Sequence, residues 1–179
     1  MSTDAILDRA SAYIWLNARL LERRLFAHLF LGGGREPVLA TLRAYQNDDG
    51  GFGNALEPDK RAPASQPIDQ EMGLRALDDA GFDAAMAGRA CDFLTTITTA
   101  EGGVPFTIPS VNAYPRQEWW TAPERPTASV NPTASIAGLL HKHGFDHPWL
   151  RQATEYCWRA IQEGGAHEVH ELLAVVLFL

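Results

Sequence analysis

The feature that most constrains the fold of this chain is an internal repeat. The segment Leu77–Gly103 (LDDAGFDAAMAGRACDFLTTITTAEGG) aligns with Leu140–Gly165 (LHKHGFDHPWLRQATEYCWRAIQEGG). Gly81-Phe82-Asp83 falls on Gly144-Phe145-Asp146, Cys91 lies near Cys157, and Gly102-Gly103 matches Gly164-Gly165. Upstream, Pro67, Gly73 and Leu74 correspond to Pro132, Gly138 and Leu139, and VLATLRAYQNDDGG is a third, partial copy that runs a helix into a Gly-Gly turn. The unit is a helix, a Gly-Phe-Asp turn, a second helix and a Gly-Gly turn. Glycine takes the left-handed conformation after the first helix, and Asp83 and Asp146 are placed to cap the next one. A unit of this size cannot bury its apolar face alone, so the repeat predicts stacked helical hairpins.

Hydrophobic spacing supports an all-α chain, and strand signals are weak. Ile6, Ala10, Tyr13, Ile14, Leu20, Leu21, Leu25 and Leu29 keep helical spacing, which predicts one helix over 3–30, ended by Gly32–Gly34. Pro37, Pro67, Pro132 and Pro148 sit at first-turn positions of further helices at 36–46, 68–80, 132–143 and 148–162. Two more are expected at 83–98 and from 168 onward. The chain is then expected to be a single domain over 1–179, with an N-terminal helix (1–34), first repeats (36–103), an aromatic and proline-rich loop (104–131) and a further repeat with the start of the next (132–179).

Lys and Arg number 15 against 22 Asp and Glu, a formal charge of -7, which argues against a nucleic-acid surface because such binding rests on neutralising phosphates. Two cysteines cannot build a disulfide framework, and Asp4, Asp8 and Arg9 occupy the place of a signal peptide's apolar run, so a reducing, cytoplasmic setting is expected. The longest strongly apolar run, 172–179, is far shorter than the ~20 residues that span a bilayer.

At QNDDGGFG (Gln46–Gly53) the sequence resembles the repeat of squalene–hopene cyclases and protein prenyltransferase β-subunits, a Gln followed by Asp-Gly-Gly and an aromatic. Gln46, Asp49, Gly50, Gly51 and Phe52 satisfy that pattern. TTAEGGVPF (98–106) is a weaker copy, with Glu101 in the aspartate place, and AIQEGGAHE (160–168) keeps Gln162, Gly164 and Gly165 without the aromatic. The resemblance implies an α/α toroid, a double ring of helices around a central cavity. It also implies a structural role for these segments: the glycines make tight turns, the aromatic packs, and the Gln and Asp bond to backbone groups. Neither family's chemistry carries over residue by residue. The Asp-x-Asp-Asp acid of the cyclases is missing, since Ala76 precedes Asp78-Asp79, and the zinc triad of the prenyltransferases is missing, since Cys91 directly precedes Asp92. No cofactor or metal is expected.

His141, His143 and His147 invite a metal, but two residues of separation on a helix points the first two in divergent directions. His167 and His170 are three apart, whereas the zinc protease motif needs four. Cys91 and Cys157 read as buried core thiols. The loop 104–126 holds Phe106, Tyr114, Trp119 and Trp120 among five prolines, rings suited to an apolar ligand or a developing carbocation, or else to filling core. If the chain carries an acid for chemistry, Glu57, Asp59 and Glu71 are the first candidates; the reading weighed against it makes Glu57, Asp59, Lys60 and Arg61, with Asp69 and Glu71 just beyond, a surface ion-pair cluster.

The expected fold is therefore all-α, repeated helical hairpins in an arc or partial toroid. Three functions are open: handling of an isoprenoid or other apolar substrate in the cavity; a non-catalytic scaffold for a protein partner or small apolar ligand; and a carbohydrate-active (α/α) barrel, since paired carboxylates and tryptophans also serve sugars. A six-hairpin ring needs roughly 300 residues or more. The chain is thus expected to hold about half a ring, with self-association through the open edge of its last helix as one way to cover it.

Overall fold

The computed structural model describes residues 3–164 and 168–179, and Gly165 and His167 lie outside it. Among the described residues there are eight α-helices and no strand: α1 Thr3–Asn17, α2 Leu20–Phe30, α3 Glu36–Arg43, α4 Pro67–Asp79, α5 Ala84–Ile97, α6 Val130–Lys142, α7 Pro148–Gln162 and α8 Val169–Phe178. None is long and apolar enough to cross a membrane.

The first expected helix is two. The chain leaves helical geometry at Arg19 (φ -67°, ψ 168°). The reason is a long-range contact: the Arg19 guanidinium donates to the carbonyls of Ala55 and Leu56, each at 3.0 Å, and pairs with Glu22. α1 buries no residue, whereas α2 packs on α3 through Leu21 and Leu25.

Two hairpins, α4/α5 and α6/α7, stack in parallel. The first helices form one row, α4 against α6 and α6 against α8, and the second helices another, α5 against α7. α6 is the centre: Val130 and every residue from Pro132 to Leu140 is buried. It runs regularly only after a kink at Asn131. α8 crosses it at Gly138, where a β-carbon would lie 2.1 Å from the Leu177 carbonyl oxygen, so the two backbones meet with no side chain between them. α7 turns Trp149, Leu150, Ala153, Tyr156 and Cys157 to the core, a single stripe at helical spacing.

The repeat is visible in hydrogen bonds. At the first Gly-Gly turn the Asn47 amide donates to Gly51 O (2.8 Å) and the Gly50 amide to Asn47 O (3.0 Å); at the second, Thr99 donates to Gly103 O (2.9 Å) and Gly102 to Thr99 O (3.0 Å). Each turn lies on the second helix of the hairpin that follows it. A β-carbon on Gly51 would meet the Phe93 ring at 2.7 Å, and one on Gly103 the Tyr156 ring at 2.7 Å. The Gly-Phe-Asp turns match as well, with Phe82 donating to Leu77 O and Phe145 to Leu140 O. The two turns touch: the Phe82 and Phe145 rings meet edge to face at 5.6 Å, and Phe82 stacks on His143.

The first motif is built as a structural turn. Gln46 Nε2 donates to Gly50 O and to Met86 O, Asp49 Oδ1 accepts from the Gly51 amide and the Ser65 hydroxyl, and Phe52 is fully buried against Gly73. Gln70 closes the unit, accepting from the Phe52 amide (2.8 Å) and donating to the Phe52 carbonyl (2.9 Å). Asp83 caps α5 by accepting from the Met86 amide at 2.9 Å. Asp146 does not repeat this. Pro148 takes the first helical position of α7, so His147 is the cap, its Nδ1 accepting from the Trp149 amide. Gly81, Gly144 and Gly164 each take positive φ after a helix.

Candidate functional site

The loop after the first motif and the aromatic loop are joined to each other and to the hairpins. An isolated antiparallel bridge pairs Lys60 with Arg116, with the Arg61 amide donating to Pro115 O and the Gln117 amide to Asp59 O. Buried Gln66 donates to Ser110 Oγ and accepts from the Ile108 amide. Thr133 on α6 bonds both backbone groups of Val104. These ties set the aromatic loop over the row of first helices, where it and α4, α6 and α8 line a cavity of about 850 Å³ that is open to solvent on one side.

Six of the seven residues singled out as catalytic or ligand-contacting candidates line that cavity: Glu57, Asp59, Glu71, Phe106, Trp119 and Trp120. α4 contributes Ile68, Glu71, Met72 and Arg75, one face of the helix. Trp120 is buried and stacks on Phe106 at 4.8 Å between centroids, while Trp119 stands 60% exposed at the rim. Tyr114 is not in the lining; it follows the 3-10 turn 109–113 and is 39% exposed. Sequence reasoning missed the contribution of α8 and its cap, which bring Glu168, His170, Glu171, Leu173 and Ala174 to the lining. The capping box of Glu168 and Glu171, legible as a Glu pair three apart, fixes the start of that helix.

The polar groups of the wall are organised. Glu71 accepts two bonds from the Arg75 guanidinium, from Nε at 2.9 Å and from a terminal nitrogen at 2.6 Å. Glu57 Oε1 accepts from the Asp59 amide at 3.2 Å. Beneath them is an ion pair that the sequence reading placed on the surface: Lys60 and Asp69 are both fully buried and bonded to each other, and Asp69 Oδ1 also accepts from the Glu57 amide at 2.7 Å. Burial pushes the Asp69 carboxyl up, to about 6, against the opposing pull of the Lys60 ammonium and the Glu57 amide.

The remaining candidates are structural. His141 bonds Thr154, His143 bonds Asp78, and His147 caps α7 and faces Asp92, so the three rings take separate partners. Cys91 and Cys157 are fully buried, and burial pushes both thiols up to about 12, which removes them as nucleophiles. Among the described residues no group of three or more His, Cys, Asp and Glu is arranged to hold a metal ion. A scan of known protein families finds none that matches the chain, and searches of curated proteins and of solved structures return no match.

Proposed function

We propose that this chain is a prenyltransferase/squalene-cyclase-repeat protein that takes an isoprenoid or other apolar small molecule into the cavity between the aromatic loop and α4, α6 and α8. The observation that carries the reading is the meeting of Phe106, Trp119 and Trp120 with Ile68, Met72 and Leu173 around one space of about 850 Å³, within the size range of small-molecule sites. No catalytic step is assigned to the carboxylates. Titration with farnesol, followed by tryptophan fluorescence, tests the reading. Saturable quenching that is lost in Trp119→Ala supports it; absence of saturable binding to the folded protein overturns it.

A second reading, a non-catalytic scaffold, is favoured by a different observation. Val169, Leu172, Val176 and Leu179 of the last helical segment are between 51% and 76% exposed. Concentration-dependent association in sedimentation that is abolished by Leu172→Lys with Val176→Lys would support it, and a monomer at all concentrations would exclude self-association.

A further inference from the structure

The electrostatics of the cavity narrow the ligand class. Among the described residues its lining carries five carboxylates, Glu57, Asp59, Glu71, Glu168 and Glu171, against one Lys or Arg, Arg75, and one histidine, His170. Arg75 is already held on Glu71 by two hydrogen bonds. Two further cations are engaged elsewhere: Lys60 is buried on Asp69, and Arg19 is paired with Glu22 and with the Ala55 and Leu56 carbonyls. The α8 amino end is occupied by its own capping box, so its partial positive charge already faces the Glu168 and Glu171 carboxylates. A cleft in which one sign of charge predominates, here with the Glu57 and Asp59 carboxylates outside the Arg75 pair and the capping box, concentrates potential of that sign inside it. An anionic head group such as a diphosphate would enter against that potential and find no free guanidinium or ammonium among the described lining residues.

The aromatic wall points the same way independently. Stacked Phe106 and Trp120 and the exposed ring of Trp119 border the same space, and the electron-rich faces of such rings attract cations, quaternary ammonium groups in particular.

Resting on the reading of the cavity as an apolar-ligand site, we propose that its ligand is a cationic amphiphile, an ammonium group on an apolar body. The ammonium lies between the Trp119 and Trp120 rings and the carboxylates of Glu57 and Asp59. The apolar body lies along Ile68, Met72 and Leu173.

Three probes of equal chain length test this by calorimetry at low salt: octyltrimethylammonium, 1-octanol and octyl sulfate, each below its micellar range. The ammonium should bind at least ten-fold more tightly than the alcohol, and octyl sulfate should bind more weakly than either. Asp59→Asn and Trp119→Ala, both at exposed positions, should each weaken the ammonium at least three-fold, and Asp59→Asn should leave 1-octanol unchanged. Glu155→Gln on α7, away from the cavity, should change nothing and so exclude general attraction to an acidic protein. Equal binding of ammonium and alcohol, or preference for the sulfate, overturns the cationic assignment while leaving an apolar site in place. Failure of all three probes to bind overturns both.

Discussion

The Lys60 ammonium is bonded to the Asp69 carboxylate in a contact from which solvent is excluded on both sides. It joins the loop carrying Glu57 and Asp59 to the helix carrying Glu71, and so fixes one wall of the cavity. Removing one partner leaves the other charge buried alone. Asp69→Asn or Lys60→Met should each cost about 3–5 kcal/mol in urea unfolding, whereas the double change Lys60→Met with Asp69→Leu should recover much of that loss. Single variants as stable as the parent would show that the pair is not sealed from water.

Gly138 makes a sharper packing test. Its substitution by alanine places a methyl carbon against the Leu177 carbonyl, which is backbone and cannot rotate aside. α8 must move off α6, with a cost of about 1–3 kcal/mol typical of overpacking. Because α8 forms one cavity wall, Gly138→Ala should also weaken farnesol binding. Unchanged stability and unchanged binding would contradict the packing described for α8.

The acid limb of stability should report on Asp78. Burial alone would raise its carboxyl, but hydrogen bonds and charge from Lys142 and His143 outweigh that and hold it below its ordinary value. A depressed carboxylate contributes stability that is present above the unfolded pKa of roughly 3.9 and is lost as pH falls through the lower folded value. Asp78→Asn should flatten that part of the profile of melting temperature against pH, and a parallel profile in the variant would show that the α4–α6 clamp contributes nothing.

The thiols of Cys91 and Cys157 should be silent in the native protein. Both are fully buried with raised pKa values, so iodoacetamide should label neither at pH 8 until denaturant opens the core. Rapid labelling under native conditions would place the second helices of the hairpins in contact with solvent.

What was legible in the sequence was whatever local chemistry decides. The hairpins, the Gly-Gly and Gly-Phe-Asp turns and the role of Gln46 to Phe52 follow from turn residues and spacing, and the structure repeats their hydrogen bonds in both copies. Glu57, Asp59, Glu71, Trp119 and Trp120 could be picked out by residue type on two long loops and one helix, but their meeting around one space could not. What escaped depended on distant partners. The break at Arg19 is set by carbonyls 36 and 37 residues away. Lys60 reads as a surface residue until Asp69 is found beside it in the core. Tyr114 has the chemistry of its aromatic neighbours, but the 3-10 turn before it leads it out of the wall. The shift of the α7 cap from Asp146 to His147 had a readable signal, since Pro148 at the first helical position makes the preceding residue the cap.

The central claim is that the aromatic loop and the first-helix row form one ligand-accepting cavity. Fluorine NMR of protein labelled with 5-fluorotryptophan resolves its five tryptophans, Trp15, Trp119, Trp120, Trp149 and Trp158, as separate reporters. On titration with octyltrimethylammonium or farnesol, the resonances of Trp119 and Trp120 should shift saturably while those of Trp15, Trp149 and Trp158 stay in place. Shifts confined to Trp15 or Trp158, or a common drift of all five, would contradict the account.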